Sequence, residues 1–438
     1  MKIPEINTSL QGFYADREAL RLENFIVLKY LFMTKADPYE TAAHLCQEQS
    51  TAQYKRVDID EDFRVEFASK VLSLRKAEIE DLHCDANPFD IYGDIKNMWL
   101  VEIVYPWRNF GDRIPNLITA ICGEGVFHSP NISQIKLLDI SFPDSYLEKF
   151  DGPRFGIDGI RKELEVYDRP IIIGVIKPNI GLPPEPFGEL AYQAWLGGLD
   201  VAKDDELLCD TNWSPFEKRT SILGRLRLKA EAETRSPKMY LANITDEVDK
   251  MPLLYDIAIK NHVNAVMING MTTGLSVVRV LSKKAQLPLF SHFDFIAPFT
   301  KVPTFGVHLQ VVNKLHRLAG YDCIIYQGLG DRMGTSKEEV LLAYKACVEP
   351  MGNLRPCLPV PAGSQWAGSL AELYSLFGSV DFGIVPGRAI FSHPMGPGAG
   401  AKALLQGWEA VLQKQPLDKY AVNHIEVEKA IQNERRSV

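Results

Sequence analysis

The sequence predicts an α/β protein in which a (β/α)8 TIM barrel follows a smaller N-terminal α+β domain. Three observations carry that expectation. The texture of the chain changes near residue 150, eight short apolar runs recur beyond it at intervals of roughly 25 to 35 residues, and each run ends in a polar or glycine-bearing corner before a helical pattern begins. Strands buried on both faces read as continuous apolar runs, and eight of them alternating with helices is the number that closes such a barrel.

In the first part, Phe25–Met33 and Trp99–Trp107 are rich in β-branched and aromatic residues and read as strands. Pro38–Gln47 reads as a short helix between them, and Ile135–Phe142 as a closing strand. The barrel runs are Ile171–Ile176, Leu199–Ala202, Met239–Ile244, Ala265–Ile268, Leu287–Phe293, Cys323–Tyr326, Cys357–Val360 and Phe382–Val385. The expected domains are residues 1–148 and 149–438, the second closing with a C-terminal helical extension.

Lys+Arg 48 against Asp+Glu 56 gives a net charge of −8, and 46% of the residues are hydrophobic. That excludes a disordered chain, and it argues against a nucleic-acid partner, which calls for a basic excess. The start, MKIPEINTSLQGFYADREAL, lacks the apolar stretch of a secretory signal, and no apolar run is long enough to span a bilayer, so no membrane partner and a cytoplasmic location are expected. The seven cysteines are scattered without a C-x-x-C pair and read as small buried hydrophobes. None of the nine histidines forms an H-E-x-x-H motif.

Barrel chemistry sits at the C-terminal ends of the strands. The run endings are Lys177, Lys203-Asp204-Asp205-Glu206, Thr245-Asp246, Asn269, Asp294, Gln327-Gly328, Ala362-Gly363-Ser364 and Gly387-Arg388. By the period-two rule Lys203 and Asp205 share one face, and Glu206 joins them where the chain turns away. Two carboxylates make a hard oxygen site suited to Mg²⁺, and a carbamate on Lys203 would add a third oxygen ligand. The competing reading is a solvated charge run opening a helix. Lys177, fixed between an apolar run and Pro178, suits a general base; a lysine reaching to the rim is equally compatible. Gly363, Ser364, Gly387 and Arg388 lie after strands seven and eight, where barrels frequently bind phosphate, although plain turns use the same glycines.

At these points the chain resembles the large subunit of RuBisCO. GVIKPNIGL (Gly174–Leu182) and GGLDVAKDDE (Gly197–Glu206) are similar to the family's lysine motifs, and EQSTAQY (Glu48–Tyr54), IPNLITAICGE (Ile114–Glu124) and FSHPMGPGAGA (Phe391–Ala401) support the match. The resemblance implies a ferredoxin-like first domain and a homodimer with shared active sites. It also implies Mg²⁺ held by a carbamylated Lys203 with Asp205 and Glu206, and a catalytic role for Lys177, Lys203 and the retained His292, with either Lys177 or the Lys203 carbamate as the base. Glu48, Gln53 and Tyr54 would come from the partner chain, and Gly363, Ser364, Gly387 and Arg388 would flank phosphate.

The departures set the expected activity. Asn179 replaces a lysine, Asp294-Phe295 a histidine-arginine pair, Ala362 a serine, Arg388 a glycine and Glu124 an asparagine, while YQGLGDRMG (Tyr326–Gly334) lacks the lysine that holds CO₂ in carboxylases. One lost oxyanion donor alone costs roughly 10²–10³ in rate, so no CO₂ fixation is expected. The pattern resembles the RuBisCO-like proteins, form IV, nearest the phototroph-type branch; other branches act in methionine salvage as enolases or isomerases. The expectation is a Mg²⁺-dependent enolase or isomerase, of the lyase or isomerase class, that removes a proton from a phosphorylated sugar-like substrate, with Glu124 disfavouring a second phosphate. A Schiff-base aldolase-type barrel and a non-catalytic or regulatory descendant are the alternatives.

Overall fold

Each of the eight apolar runs carries a parallel strand. The structure, a computed structural model, describes residues 7–53, 62–83, 95–125, 131–330 and 333–437. It divides into two compact units: residues 1–152 with 295–319 and 349–354, and residues 153–294 with 320–348 and 355–438.

In the first unit, β1 (Phe25–Thr34), β2 (Lys70–Lys76), β3 (Met98–Pro106), β4 (Ile132–Ser141) and the short β10 (Gly306–Val307) form one sheet in the order β10-β4-β1-β3-β2. Neighbours pair antiparallel, except that β10 runs parallel to β4. The helix Pro38–Cys46 starts where Asp37 Oδ1 accepts the N–H groups of Tyr39 and Glu40, with proline in its first turn. Sequence patterning missed two of the strands. β2 (KVLSLRK) carries three charged residues, and β10 is two residues long and comes from far along the chain.

In the second unit, β5 (Ile171–Val175), β6 (Val201–Lys203), β7 (Met239–Asn243), β8 (Ala265–Ile268), β9 (Leu289–Ser291), β11 (Cys323–Gln327), β12 (Leu358–Ala362) and β13 (Gly383–Ile384) run parallel in the order β12-β11-β9-β8-β7-β6-β5-β13. A parallel bridge between Ala362 and Val385 closes the ring. Alternate residues fill its interior: Ile171 and Ile173, Met239 and Leu241, Ala265 and Met267, Cys323 and Ile325, Leu358 and Val360. Ile157, Ile160 and Leu164 of the helix Gly156–Leu164 join the same cluster. Carried two residues past the apolar layers, that alternation reaches Lys177, Lys203 and Asp205, His292 and Ser364.

Asp322, fully buried just before β11, ties several of these elements together. Its Oδ1 accepts the N–H groups of Phe155 (2.6 Å) and Gly156 (2.9 Å), and its Oδ2 that of Leu289 (2.9 Å). Burial lifts this carboxyl from 3.8 to about 6, against the pull of those N–H groups. A raised folded-state value means that the stabilising contribution is full below pH 3.8 and is lost as pH rises through about 6. Asp322→Ala orphans three donors, two of them buried, and is expected to cost about 3 kcal/mol, measured by urea unfolding. Asp322→Asn should flatten the decline in stability between pH 4 and 6, a window set by those two values.

The cysteines depart from expectation in two places. Cys46, Cys323, Cys347 and Cys357 are buried, but Cys122 is half-buried and Cys209 exposed in the loop after β6, where no core element covers it. Cys84 lies outside the described residues. No described helix is long and apolar enough to cross a membrane.

Candidate functional site

A cavity of about 810 Å³ opens at the C-terminal ends of the barrel strands, walled by Lys177, Asn179, Lys203, Glu206 and His292 on one side and by Gly363, Ser364, Gln365, Gly387 and Arg388 on another. Val175, Phe293, Ile325 and Met333 add apolar surface. The charged groups meet as two ion pairs. Lys177 Nζ lies 2.7 Å from Asp205 Oδ2, whose side chain is 0% exposed, and Lys203 Nζ lies 2.8 Å from Glu206 Oε2. Lys203 also donates to the Asp204 carbonyl at 2.9 Å.

His292 extends this cluster. Its Nε2 is 3.2 Å from Glu206 Oε2 and its Nδ1 3.6 Å from Asp294 Oδ1, so Glu206, His292 and Asp294 offer ligand atoms within 4.8 Å of one another. Burial, assisted by the Lys203 charge, pulls His292 down to about 3, which leaves a neutral imidazole. Burial would raise Glu206, but the charge of Lys203 and its hydrogen bond to Oε2 hold it well below the usual carboxylate range. Burial and the neighbouring Glu206 charge push Asp294 up.

Asp204, between these groups in sequence, turns the other way, as alternation requires. It is 0% exposed and accepts from Tyr240 Oη (2.9 Å), Asn243 N (3.1 Å) and Arg219 Nε (3.3 Å). Asn243 Nδ2 in turn donates to the carbonyls of Glu206 and Leu208 at 3.1 and 3.2 Å. The loop that carries Asp205 and Glu206 is thus pinned from behind.

In the glycine corners, a Cβ on Gly387 would stand 2.2 Å from Val175 Cγ1 and 3.0 Å from the Val175 carbonyl oxygen, so only glycine lets this backbone pack so closely against the end of β5. Gly363 sits at φ +98° and Ser364 at φ +50°. Arg388 pairs with Glu434 at 3.4 Å.

Glu48, Gln53 and Glu124 lie in the first unit and are exposed; Gly125 N donates to Gln49 Oε1 at 3.1 Å, which sets the two segments side by side. Tyr54, Asp331 and Arg332 lie outside the described residues. Sequence reasoning attached no role to several residues of the cluster and cavity, among them Asp294, Gln365 and Glu434. Asp294 was a strand-end candidate with no role attached, and its signal was its position two residues after His292. Glu434 gave no motif; its signal is a carboxylate on the apolar face of the last helix.

Residues 156–433 match the ribulose bisphosphate carboxylase large chain, catalytic domain, and residues 14–146 match its N-terminal domain. The chain is 51% identical over 427 residues to ribulose bisphosphate carboxylase-like protein 2 of Rhodopseudomonas palustris, covering 96% of this chain and 98% of that protein. It is 52% identical over 426 residues to the ribulose bisphosphate carboxylase-like protein of Allochromatium vinosum, covering 96% and 92%. Among solved structures, the octameric RuBisCO of Pyrococcus horikoshii superposes with a TM-score of 0.87 at 29% identity, covering 99% of this chain and 98% of that one. A rubisco-like protein from Burkholderia fungorum gives 0.82 at 26% identity, covering 93% and 99%.

Proposed function

Because the chain belongs to the ribulose bisphosphate carboxylase large-chain family, we propose that it is a non-carboxylating member. In this reading it removes a proton beside the carbonyl of a phosphorylated sugar-like substrate, as an enolase or isomerase. The observation that carries the reading is the pairing of two lysines with two carboxylates at one wall of the cavity, Lys177 with Asp205 and Lys203 with Glu206.

The donor chemistry fits a divalent cation. Glu206, Asp294 and the neutral His292 imidazole bring ligand atoms within 4.8 Å of one another. The Asp205 carboxylate is held by Lys177, and Glu206 meets Lys203, whose side chain is 1% exposed. A carbamate there would exchange its positive charge for hard oxygen donors, with Asp205 and Glu206 as the other ligands. A cation so held would polarise the substrate carbonyl oxygen as a Lewis acid. Lys177, with its side chain 27% exposed and its amine held by Asp205, is placed to take or return the proton. His292 would orient Glu206 through Nε2. Gly363, Ser364, Gly387 and Arg388 would hold the phosphate, and a homodimer would bring Glu48, Gln53, Tyr54 and Glu124 to its partner's cavity. Asn179 and Asp294 stand where carboxylation calls for other groups, and the segment Tyr326–Gly334 lacks the lysine that holds CO₂, which supports enolisation without CO₂ fixation.

Phosphorylated ketoses screened by NMR for deuterium uptake from D₂O are expected to exchange only when Mg²⁺ and bicarbonate are both present. Exchange that ignores both, together with borohydride trapping of a lysine adduct, would replace this reading with Schiff-base chemistry.

A further inference from the structure

The helix Ile425–Ser437 contributes a side chain that neither the motifs nor the proposed chemistry uses. Val427 (0% exposed) and Ile431 (9%) pack into a cluster with Ala403, Ala410 and Tyr420, with Ala430 against it, so positions three and four residues apart mark the buried face of this helix. Glu434 continues that face, where the pattern calls for an apolar residue. A carboxylate in the last turn also opposes the helix dipole. The helix is anchored: His393 Nε2 lies 3.0 Å from the Glu426 carbonyl, Lys402 Nζ 2.7 Å from Glu426 Oε1, and Asn433 Nδ2 3.3 Å from the Ser392 carbonyl. Glu434 is therefore held at the cavity wall, 21% exposed and 3.4 Å from Arg388, which is 40% exposed.

Two residues of the same cavity wall, Ser364 and Gln365, carry buried polar atoms without a hydrogen-bond partner, Ser364 Oγ and Gln365 Oε1; Gln365 is 5% exposed and its Nε2 donates to the Gly363 and Leu329 carbonyls at 2.8 and 3.3 Å. An anion site needs donors, and this cavity supplies them through Arg388 and the glycine corners. It also presents an acceptor, the Glu434 carboxylate. An ion that carries its own proton satisfies both, whereas an ion with acceptor oxygens alone is repelled by Glu434.

We infer that Glu434 is a specificity-determining residue that makes the Arg388 corner select a protonated phosphate group, which donates its hydroxyl to Glu434, over a fully ionised oxyanion such as sulfate. The inference rests on the cavity being the phosphate site proposed above and adds which ionic form that site takes.

Isothermal titration calorimetry of the full chain at pH 6 with inorganic phosphate and with sulfate tests it. The wild type should bind phosphate at least about tenfold more tightly than sulfate. Glu434→Gln should bring the two within about threefold, mainly by tightening sulfate, because the repelling charge is gone. A preference unchanged in Glu434→Gln, or equal binding in the wild type, would overturn the role of Glu434 while leaving the phosphate site standing. If neither anion binds the wild type, the phosphate assignment itself fails, and this inference with it. Melting curves followed by circular dichroism, with Glu434→Ala as a second variant, separate lost folding from lost selectivity.

Discussion

Replacing Lys177 with methionine is expected to slow substrate proton exchange in deuterated water by about 10²–10⁴-fold, the usual contribution of a positioned acid or base. The Lys177 amine is the cavity group bonded to Asp205, at 2.7 Å, and methionine keeps most of the side-chain volume while removing the proton carrier. Affinity for Mg²⁺ should hold or tighten, because the amine no longer competes for a carboxylate that is 0% exposed. NMR exchange kinetics and calorimetric Mg²⁺ titration read the two effects separately. Exchange at the wild-type rate would remove Lys177 from the mechanism; loss of Mg²⁺ binding would make it a structural partner of Asp205.

Arg219→Met is expected to be the most destabilising single change near the site, by about 3–5 kcal/mol, because it leaves a buried charge without its partner. Arg219 and Asp204 are both 0% exposed and their ion pair measures 3.3 Å. Arg219 Nη1 also donates to the Ser214 carbonyl at 2.8 Å, tying the loop after β6 to the helix Phe216–Thr234. Adding Asp204→Asn should recover at least half of the loss, since the stranded charge disappears. Urea unfolding of both variants tests this, and a single variant within about 1 kcal/mol of wild type would show that the pair is dispensable. In the double variant Mg²⁺ affinity should still fall, because Asn243 N–H loses the Asp204 carboxylate while Asn243 Nδ2 holds the Glu206 carbonyl.

Much of the barrel was legible because its strands are buried on both faces and so appear as uninterrupted apolar runs. Residues such as Ala265–Ile268 need no tertiary information to be read as strand, and the observed β8 has those bounds. The strand endings were legible for the same reason, since an apolar run that stops at a lysine or an acid marks the barrel mouth. β2 and β10 were not: charged residues interrupt the apolar pattern of one, and the other is too short to carry any. The pairing of Arg388 with Glu434 was hidden because 46 residues separate them and nothing local to either names the other.

By itself, the sequence determined which residues stand at the mouth of the barrel and which way they face. Period-two alternation is a local property of an extended chain, and it sends Lys203 and Asp205 inward and Asp204 out towards Arg219. Only the tertiary structure decided which charge meets which: Asp205 with Lys177, Glu206 with Lys203 and His292, and Glu434 with Arg388. Those choices depend on the closure of the barrel and on where the last helix packs, and both are set by burial of apolar surface contributed from the whole chain rather than by any segment of it.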